Sequence, residues 1–172
     1  MDEIKNIEPT YTHKFIADLE QKNLTGGVIT QNIDGLHQRA GSKKILEIHG
    51  SFWKNYCMEC GSQFSFKEIE DKIYFQKIPR CSCGGVIKPD IVFFGQPVKY
   101  LQKSRQLAVQ SDLFIVIGSS LTVHPVASLP GYCNGKITIV NKGRPNFPRD
   151  RVSLYENSDL DIFFKKVAKY LK

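Results

Sequence analysis

Five side chains with chemical uses crowd into a short stretch of this 172-residue chain: Gln31, Asn32, Asp34, His37 and His49. An imidazole can take and return a proton near neutral pH. A carboxylate accepts hydrogen bonds, and a primary amide both donates and accepts them. A second group is made of cysteines, spaced Cys57-x2-Cys60 and then Cys81-x-Cys83. Two close pairs of this kind suit a tetrahedral metal bound by four thiolates at about 2.3 Å, and zinc is the usual occupant. Iron accepts the same ligands. Four protein ligands leave no open position, so the site reads as structural. The glycine after each pair, Gly61 and Gly84, permits a tight turn. Disulfides are the alternative use of the thiols, and a reducing compartment disfavours them. Cys133 stands apart in Pro-Gly-Tyr-Cys-Asn-Gly and reads as a turn or core cysteine.

These residues need elements to hold them. Val28-Ile29 and Ile45-Leu46 are short apolar runs bounded by glycine and polar residues, the pattern of buried strands. Ligands of open α/β sheets sit at the carboxyl ends of strands, so Gln31, Asn32, Asp34 and His49 are expected to face one pocket. Helices are expected from Pro9 to Lys22, at 37–41, from Tyr100 to Gln110, and from about Asp159, where Phe163, Val167 and Leu171 would share a face. Two further strands end in small or polar residues: 112–117 before Gly118-Ser119-Ser120, and 137–140 before Asn141-Lys142. The first of these is a continuous apolar run, as in a strand buried on both faces. Residues 88–95, Lys-Pro-Asp-Ile-Val-Phe-Phe-Gly, read as one more strand, either core, which the sequence favours, or an edge that pairs with an extended peptide.

Strands alternating with helices argue for a parallel sheet with a ligand crevice along its carboxyl edge. The change in composition after Gly50 marks an insert. The expected division is one α/β domain over 1–52 and 95–172, with a zinc-binding module at 53–94. A dinucleotide crevice of this kind normally has a Gly-rich turn after its first strand to receive pyrophosphate. None is found here, because Gly26-Gly27 precedes its strand and opens no helix.

Apolar content of 41% and charged content of 24% match an ordinary globular chain. No run reaches the ~18 apolar residues of a membrane span, and the opening Met-Asp-Glu begins no signal peptide. The expected location is the cytoplasm, with no membrane partner. The net charge of +7 invites a nucleic-acid reading. The basic residues are scattered, however, and the densest patch (Lys165, Lys166, Lys169, Lys172) falls on a terminal helix as a solvated face.

Taken together, the motifs are similar to those of the sirtuins. Thr30-Gln-Asn-Ile-Asp-Gly-Leu-His37, Ala40-Gly41, Glu47-Ile-His-Gly50, the four cysteines, Lys88 to Gly95, Gly118-Ser-Ser-Leu121 and Val140-Asn141 occur in that family's order, from roughly Pro9 to the last residue. The resemblance implies an NAD-dependent protein deacylase with a zinc module inserted in a Rossmann-like domain. By resemblance His49 is the catalytic base. Asn32 and Asp34 belong to the nicotinamide pocket and Gln31 lies near the nicotinamide ribose. Gly118, Ser119 and Asn141 contact the adenosine half of NAD, and Asp159 the adenine. Val92, Phe94 and Gly95 form the strand that pairs with an acylated-lysine peptide, which replaces the core reading of 88–95. In the implied reaction the acyl oxygen attacks the ribose carbon, nicotinamide leaves, and the base activates a ribose hydroxyl. The products are nicotinamide, the free lysine and O-acyl-ADP-ribose.

The departures from the family pattern shape the expectation. Gln96 stands where sirtuins usually carry Glu. Sirtuins open with a strand followed by Gly-Ala-Gly-Ile-Ser and, soon after, a flexible segment with Asp-Phe-Arg, and this sequence has neither. An N-terminally incomplete sheet is therefore expected, with poor NAD binding and little activity by this chain alone. Its open edges at Val28-Ile29 and 114–116 would invite association. The alternative is an inactive remnant acting as a zinc-stabilised module for acyl-lysine peptides.

Overall fold

The computed structural model describes residues 2–171; Met1 and Lys172, the last lysine of the terminal basic patch, lie outside the described residues. The elements run α1 (Asp2–Asn6), α2 (Tyr11–Gln21), β1 (Val28–Thr30), α3 (Leu36–Ala40), β2 (Ile45–Glu47), β3 (Gly50–Cys57), β4 (Gln63–Ser65), α4 (Phe66–Phe75) and β5 (Ile87–Ile91). Then follow α5 (Leu101–Val109), β6 (Leu113–Ile117), β7 (Lys136–Val140), β8 (Leu154–Glu156) and α6 (Leu160–Val167), with short 3-10 turns between and after them. No described helix is long and apolar enough to cross a membrane.

The chain divides into two compact units. One holds Ile29–Gly35 and Glu47–Lys99, with the first residues through Lys5. The other holds Asn6–Val28, Leu36–Leu46 and the chain from Tyr100 onward. This division by contact cuts the chain at different places from the division by composition.

In the first unit β3 is the central strand, with β4 and β5 antiparallel on either side. Helix α4 starts where Ser65 and Glu68 cap each other: the Glu68 N–H donates to Ser65 Oγ at 3.4 Å, and the Ser65 N–H to Glu68 Oε2 at 2.7 Å. Its apolar face buries Phe66 and Ile69. Ile69 packs with Cys57, Cys81 and Ile87 in one core, against which Phe64 and Ile73 rest. Lys5 of α1 pairs with Glu70.

In the second unit β6, β7 and β8 form a parallel sheet, with Ile117 opposite Val140 and Val140 opposite Glu156. Ile137 and Ile139 are fully buried, beside Val116, Leu121, Ala127 and Cys133. Cys133 is the core cysteine its context suggested, its thiol 3.3 Å from the Ser111 carbonyl. Helix α2 meets α6 through Phe15 and Phe164, whose ring centroids lie 5.1 Å apart. The Asp161 carboxylate accepts from the Thr12 N–H at 2.9 Å and the Thr12 hydroxyl at 2.5 Å, which satisfies donors left free in the first turn of α2.

Several sequence expectations change. β6 is not buried on both faces: Leu113 is half exposed and only Val116 is buried, because β6 is an edge strand with β7 as its one neighbour. β1 pairs with β2 in a separate sheet, and no described strand joins β1 to β6. In α6 the buried residue is Phe164 rather than the Phe163 stripe, since the helix ends at Val167 and Leu171 falls beyond it. The strand expected through Gly95 stops at Ile91. Beyond it Phe94 is fully exposed, so this stretch is not core.

Candidate functional site

β1 ends in a tight turn in which the Asn32 N–H donates to Thr30 Oγ1 at 3.0 Å. The loop that follows is held, carbonyl by carbonyl, from residues 49–53. His49 Nδ1 lies 3.1 Å from the Gln31 oxygen. The Phe52 N–H donates to the Ile33 oxygen at 3.0 Å. The Trp53 indole N–H donates to the Asp34 oxygen at 2.6 Å. A carbonyl can only accept, so Nδ1 of His49 carries the proton in this contact. The lone pair of a neutral imidazole is then on Nε2. The loop places Asn32 in solvent and leaves Asp34 half-buried.

His37 belongs to the other compact unit. It lies in α3, and its ring sits 4.8 Å from that of His13 in α2.

The 92–95 run is tied to His49 through the backbone, where the Val92 N–H donates to the His49 oxygen at 2.9 Å. Just before it, Ile91 of β5 stands opposite Gly50. The run closes in a turn in which the Gln96 N–H donates to the Phe93 oxygen and Gln96 Oε1 accepts from the Phe93 N–H, both at 3.0 Å. Gln31, Asn32, Asp34, His49, Val92, Phe94 and Gly95 thus belong to one compact unit.

Gly118, Ser119, Asn141 and Asp159 gather in the other unit, at the carboxyl end of the parallel sheet. The Gly118 N–H donates to the Val140 oxygen at 2.9 Å, so the first residues past β6 and β7 are neighbours. Ser119 Oγ accepts from the Leu121 N–H at 3.3 Å. The Asn141 amide donates to the oxygens of Lys142 at 3.0 Å and Gly143 at 3.1 Å. The Asp159 carboxylate caps α6 and pairs with Lys142 Nζ at 2.7 Å. Lys142, with the N–H groups of Ile162 and Asp161, holds the Asp159 carboxyl below the usual carboxylate range although desolvation opposes them.

The sulfurs of Cys57, Cys60, Cys81 and Cys83 all lie within 4.8 Å of one another, with Cys57–Cys83 at 3.5 Å and Cys60–Cys81 at 3.7 Å. A tetrahedral ion with metal–sulfur bonds of about 2.3 Å sets its sulfurs ~3.8 Å apart, so the cluster fits zinc. The Ser62 hydroxyl and N–H pull the Cys60 thiol down to about 6. Cys83 is pushed up to about 12: the Gly85 N–H draws it down, but the Cys60 and Cys57 sulfurs and burial outweigh that. Four thiolates this close repel one another, and a divalent cation is what lets all of them ionise. A Cβ at Gly85 would lie 2.6 Å from the Cys57 sulfur, so the backbone is shaped to admit the cluster.

A model of the Sir2 family matches residues 1–125. The chain belongs to the Sir2 family. An NAD-dependent protein deacetylase of Thermotoga maritima is 41% identical over 168 residues, covering 94% of this chain and 68% of the relative. NAD-dependent protein deacetylase 2 of Caldanaerobacter subterraneus subsp. tengcongensis is 46% identical over 142 residues, covering 81% of this chain. This Sir2-family chain spans 57% of the length of that relative. A solved structure of Sir2 bound to acetylated peptide superposes with a TM-score of 0.93 at 38% identity, covering 98% of this chain and 73% of that one. A Sir2 structure with a p53 peptide and NAD+ gives the same TM-score, covering 98% and 72%. The Sir2-type α/β fold with its four-cysteine module is thereby established for this chain. Sequence reasoning missed Trp53, whose indole reaches a carbonyl 19 residues away, a contact with no sequence pattern.

Proposed function

We propose that this chain carries the nicotinamide and acyl-lysine sides of an NAD-dependent protein-lysine deacylase, acting on acetylated or otherwise acylated protein lysines. The observation that carries the reading is His49, which Gln31 locks in the tautomer that leaves Nε2 free to accept a proton. NAD, when bound, supplies the ribose carbon that is attacked and nicotinamide as leaving group. Asn32 and Asp34, one turn away, present an amide and a carboxylate matching the donor and acceptor of the nicotinamide carboxamide. Gln31 would lie at the nicotinamide ribose. Gly118, Ser119, Asn141 and Asp159 would serve the adenosine half, with Asn141 and Asp159 already braced by Lys142 and Gly143. The exposed Phe94, with Val92 and Gly95, would receive the extended peptide by strand pairing. The cysteine cluster keeps its metal closed to substrate and holds the module together.

A second reading is favoured by one fact: the 172 residues contain no Gly-x-Gly turn to cradle a pyrophosphate. On this reading the chain alone is a zinc-stabilised binder of acyl-lysine peptides. The two separate in one experiment, with nicotinamide release and peptide binding measured on the purified chain and on His49→Ala. NAD-dependent release that is lost in the variant supports the enzyme. Peptide binding that needs no NAD and survives His49→Ala, without release, supports the binding module. Release that persists in His49→Ala would sink the assignment of His49 as base.

A further inference from the structure

Trp53 has no part in the chemistry above, yet its contacts converge on the loop that carries Asn32 and Asp34. Its indole N–H is bonded to the Asp34 oxygen. Its ring lies over Gly35, where a Cβ would stand 2.7 Å from both Cδ1 and Nε1. Gly35 has φ +72, so the loop is most permissive at the point where the indole rests on it. The ring also meets Phe66 edge-on, with centroids 5.6 Å apart at 76°, and Phe66 is 4% exposed at the start of α4. Phe52 packs on the same Phe66 at 5.0 Å. The loop is therefore braced against α4 of the cysteine module through an aromatic group, and Trp53 is the member that reaches it by a side-chain hydrogen bond.

We propose that Trp53 is a positioning residue, which holds residues 32–35 in the geometry that captures nicotinamide. The proposal rests on the assignment of Asn32 and Asp34 to the nicotinamide pocket. Without the indole N–H, the Asp34–Gly35 peptide loses one restraint beside the permissive glycine. The loop must then be ordered when ligand binds, and that cost is taken from affinity. Loss of one such hydrogen bond corresponds to about a fivefold weaker Kd, ~1 kcal/mol. The effect should be confined to the nicotinamide end, because the indole's contacts are with Asp34, Gly35, Phe52 and Phe66.

The test compares the purified, metal-loaded chain with Trp53→Phe, which keeps an aromatic ring and removes the N–H, and with Phe66→Leu, which keeps the N–H and loosens the packing. Backbone ¹⁵N order parameters at residues 32–35 are expected to fall in Trp53→Phe from the rigid range of about 0.85 toward ~0.6. Calorimetry should then give nicotinamide binding about fivefold weaker with ADP-ribose binding and metal content unchanged. Phe66→Leu should lower the melting temperature without singling out the loop. Order parameters unchanged in Trp53→Phe, or lowered evenly across 47–99, would overturn the proposal. If Trp53→Phe frees the loop but the unsubstituted chain binds no nicotinamide, the restraint stands and the assignment of Asn32 and Asp34 falls.

Discussion

Gly50 sits between His49 and the rest of β3, with φ +80 and Ile91 of β5 opposite it. Replacing it with alanine acts through two separable effects. The left-handed backbone costs a residue with a Cβ about 1–2 kcal/mol. The added Cβ would also fall far inside van der Waals contact with the Asp90 oxygen, 2.9 Å from its carbonyl carbon and 3.2 Å from Ile91 Cα. All three are backbone atoms of a paired strand, so no rotamer relieves the clash. The β3–β5 pair has to open at its first rung, which loses one ladder hydrogen bond at ~1 kcal/mol and adds overpacking strain of about 1–3 kcal/mol. Gly95→Ala is the matched control, with φ +83 and nothing within 4 Å of the added atom, so it pays only the conformational cost. Urea unfolding followed by Trp53 emission is a clean assay, because the chain has one tryptophan and it lies in the same unit as Gly50. Gly50→Ala should be about 3–6 kcal/mol less stable than the parent, and at least ~2 kcal/mol less stable than Gly95→Ala. Equal losses for the two variants would refute the argument that the Gly50–Asp90 approach is what demands glycine.

Metal retention should depend on pH, because binding requires thiolates and releases protons: affinity falls as pH falls. Gel filtration at about pH 7.5 and about pH 5, followed by metal analysis, should show loss at the lower value, with Cys57→Ser losing metal at both; retention at about pH 5 would contradict the four-thiolate assignment. Asp161 supplies a second pH dependence. Burial pushes its carboxyl up, but the Thr12 hydroxyl and N–H, with Thr10 and Tyr11, outweigh this and hold it low. A depressed carboxylate stabilises the fold above the unfolded value of about 3.9 and loses that contribution as pH falls through the folded value. Asp161→Asn should therefore cost about 1.5–3 kcal/mol near neutrality, with the gap from the parent closing in acid below about pH 4. A gap that stays constant in thermal melts across that range would show that the charge is not what counts.

Much of this molecule was legible in its sequence, for identifiable reasons. The runs at 112–117 and 137–140 read as strands because continuous apolar residues between turn signals have few other uses, and the strands are Leu113–Ile117 and Lys136–Val140; the helix read from about Asp159 starts there, with Asp159 as its cap. The four cysteines declared a metal cluster by spacing alone, and the fold brings their sulfurs together. Exposure was less legible. Leu113 looks like core in sequence and is half exposed, since burial depends on which neighbour strand is present. Helix α4 was missed although Ser65 and Glu68 form a capping box ahead of Phe66, Ile69 and Ile73, a signal that was overshadowed by the cysteines around it. Trp53 left no trace, because a side chain bonded to a distant carbonyl follows no periodicity.

The hydrogen bond from Val92 to the His49 carbonyl joins the His49 backbone to the 92–95 run by one link. His49 is thereby gripped from both sides, its ring by Gln31 and its backbone by Val92. On the proposed reading, a peptide laid along 92–95 loads the same peptide unit that aims the imidazole. A lysine presented in the wrong register would then tilt the base as well as bind poorly. Discrimination among target lysines becomes a matter of rate as much as of occupancy.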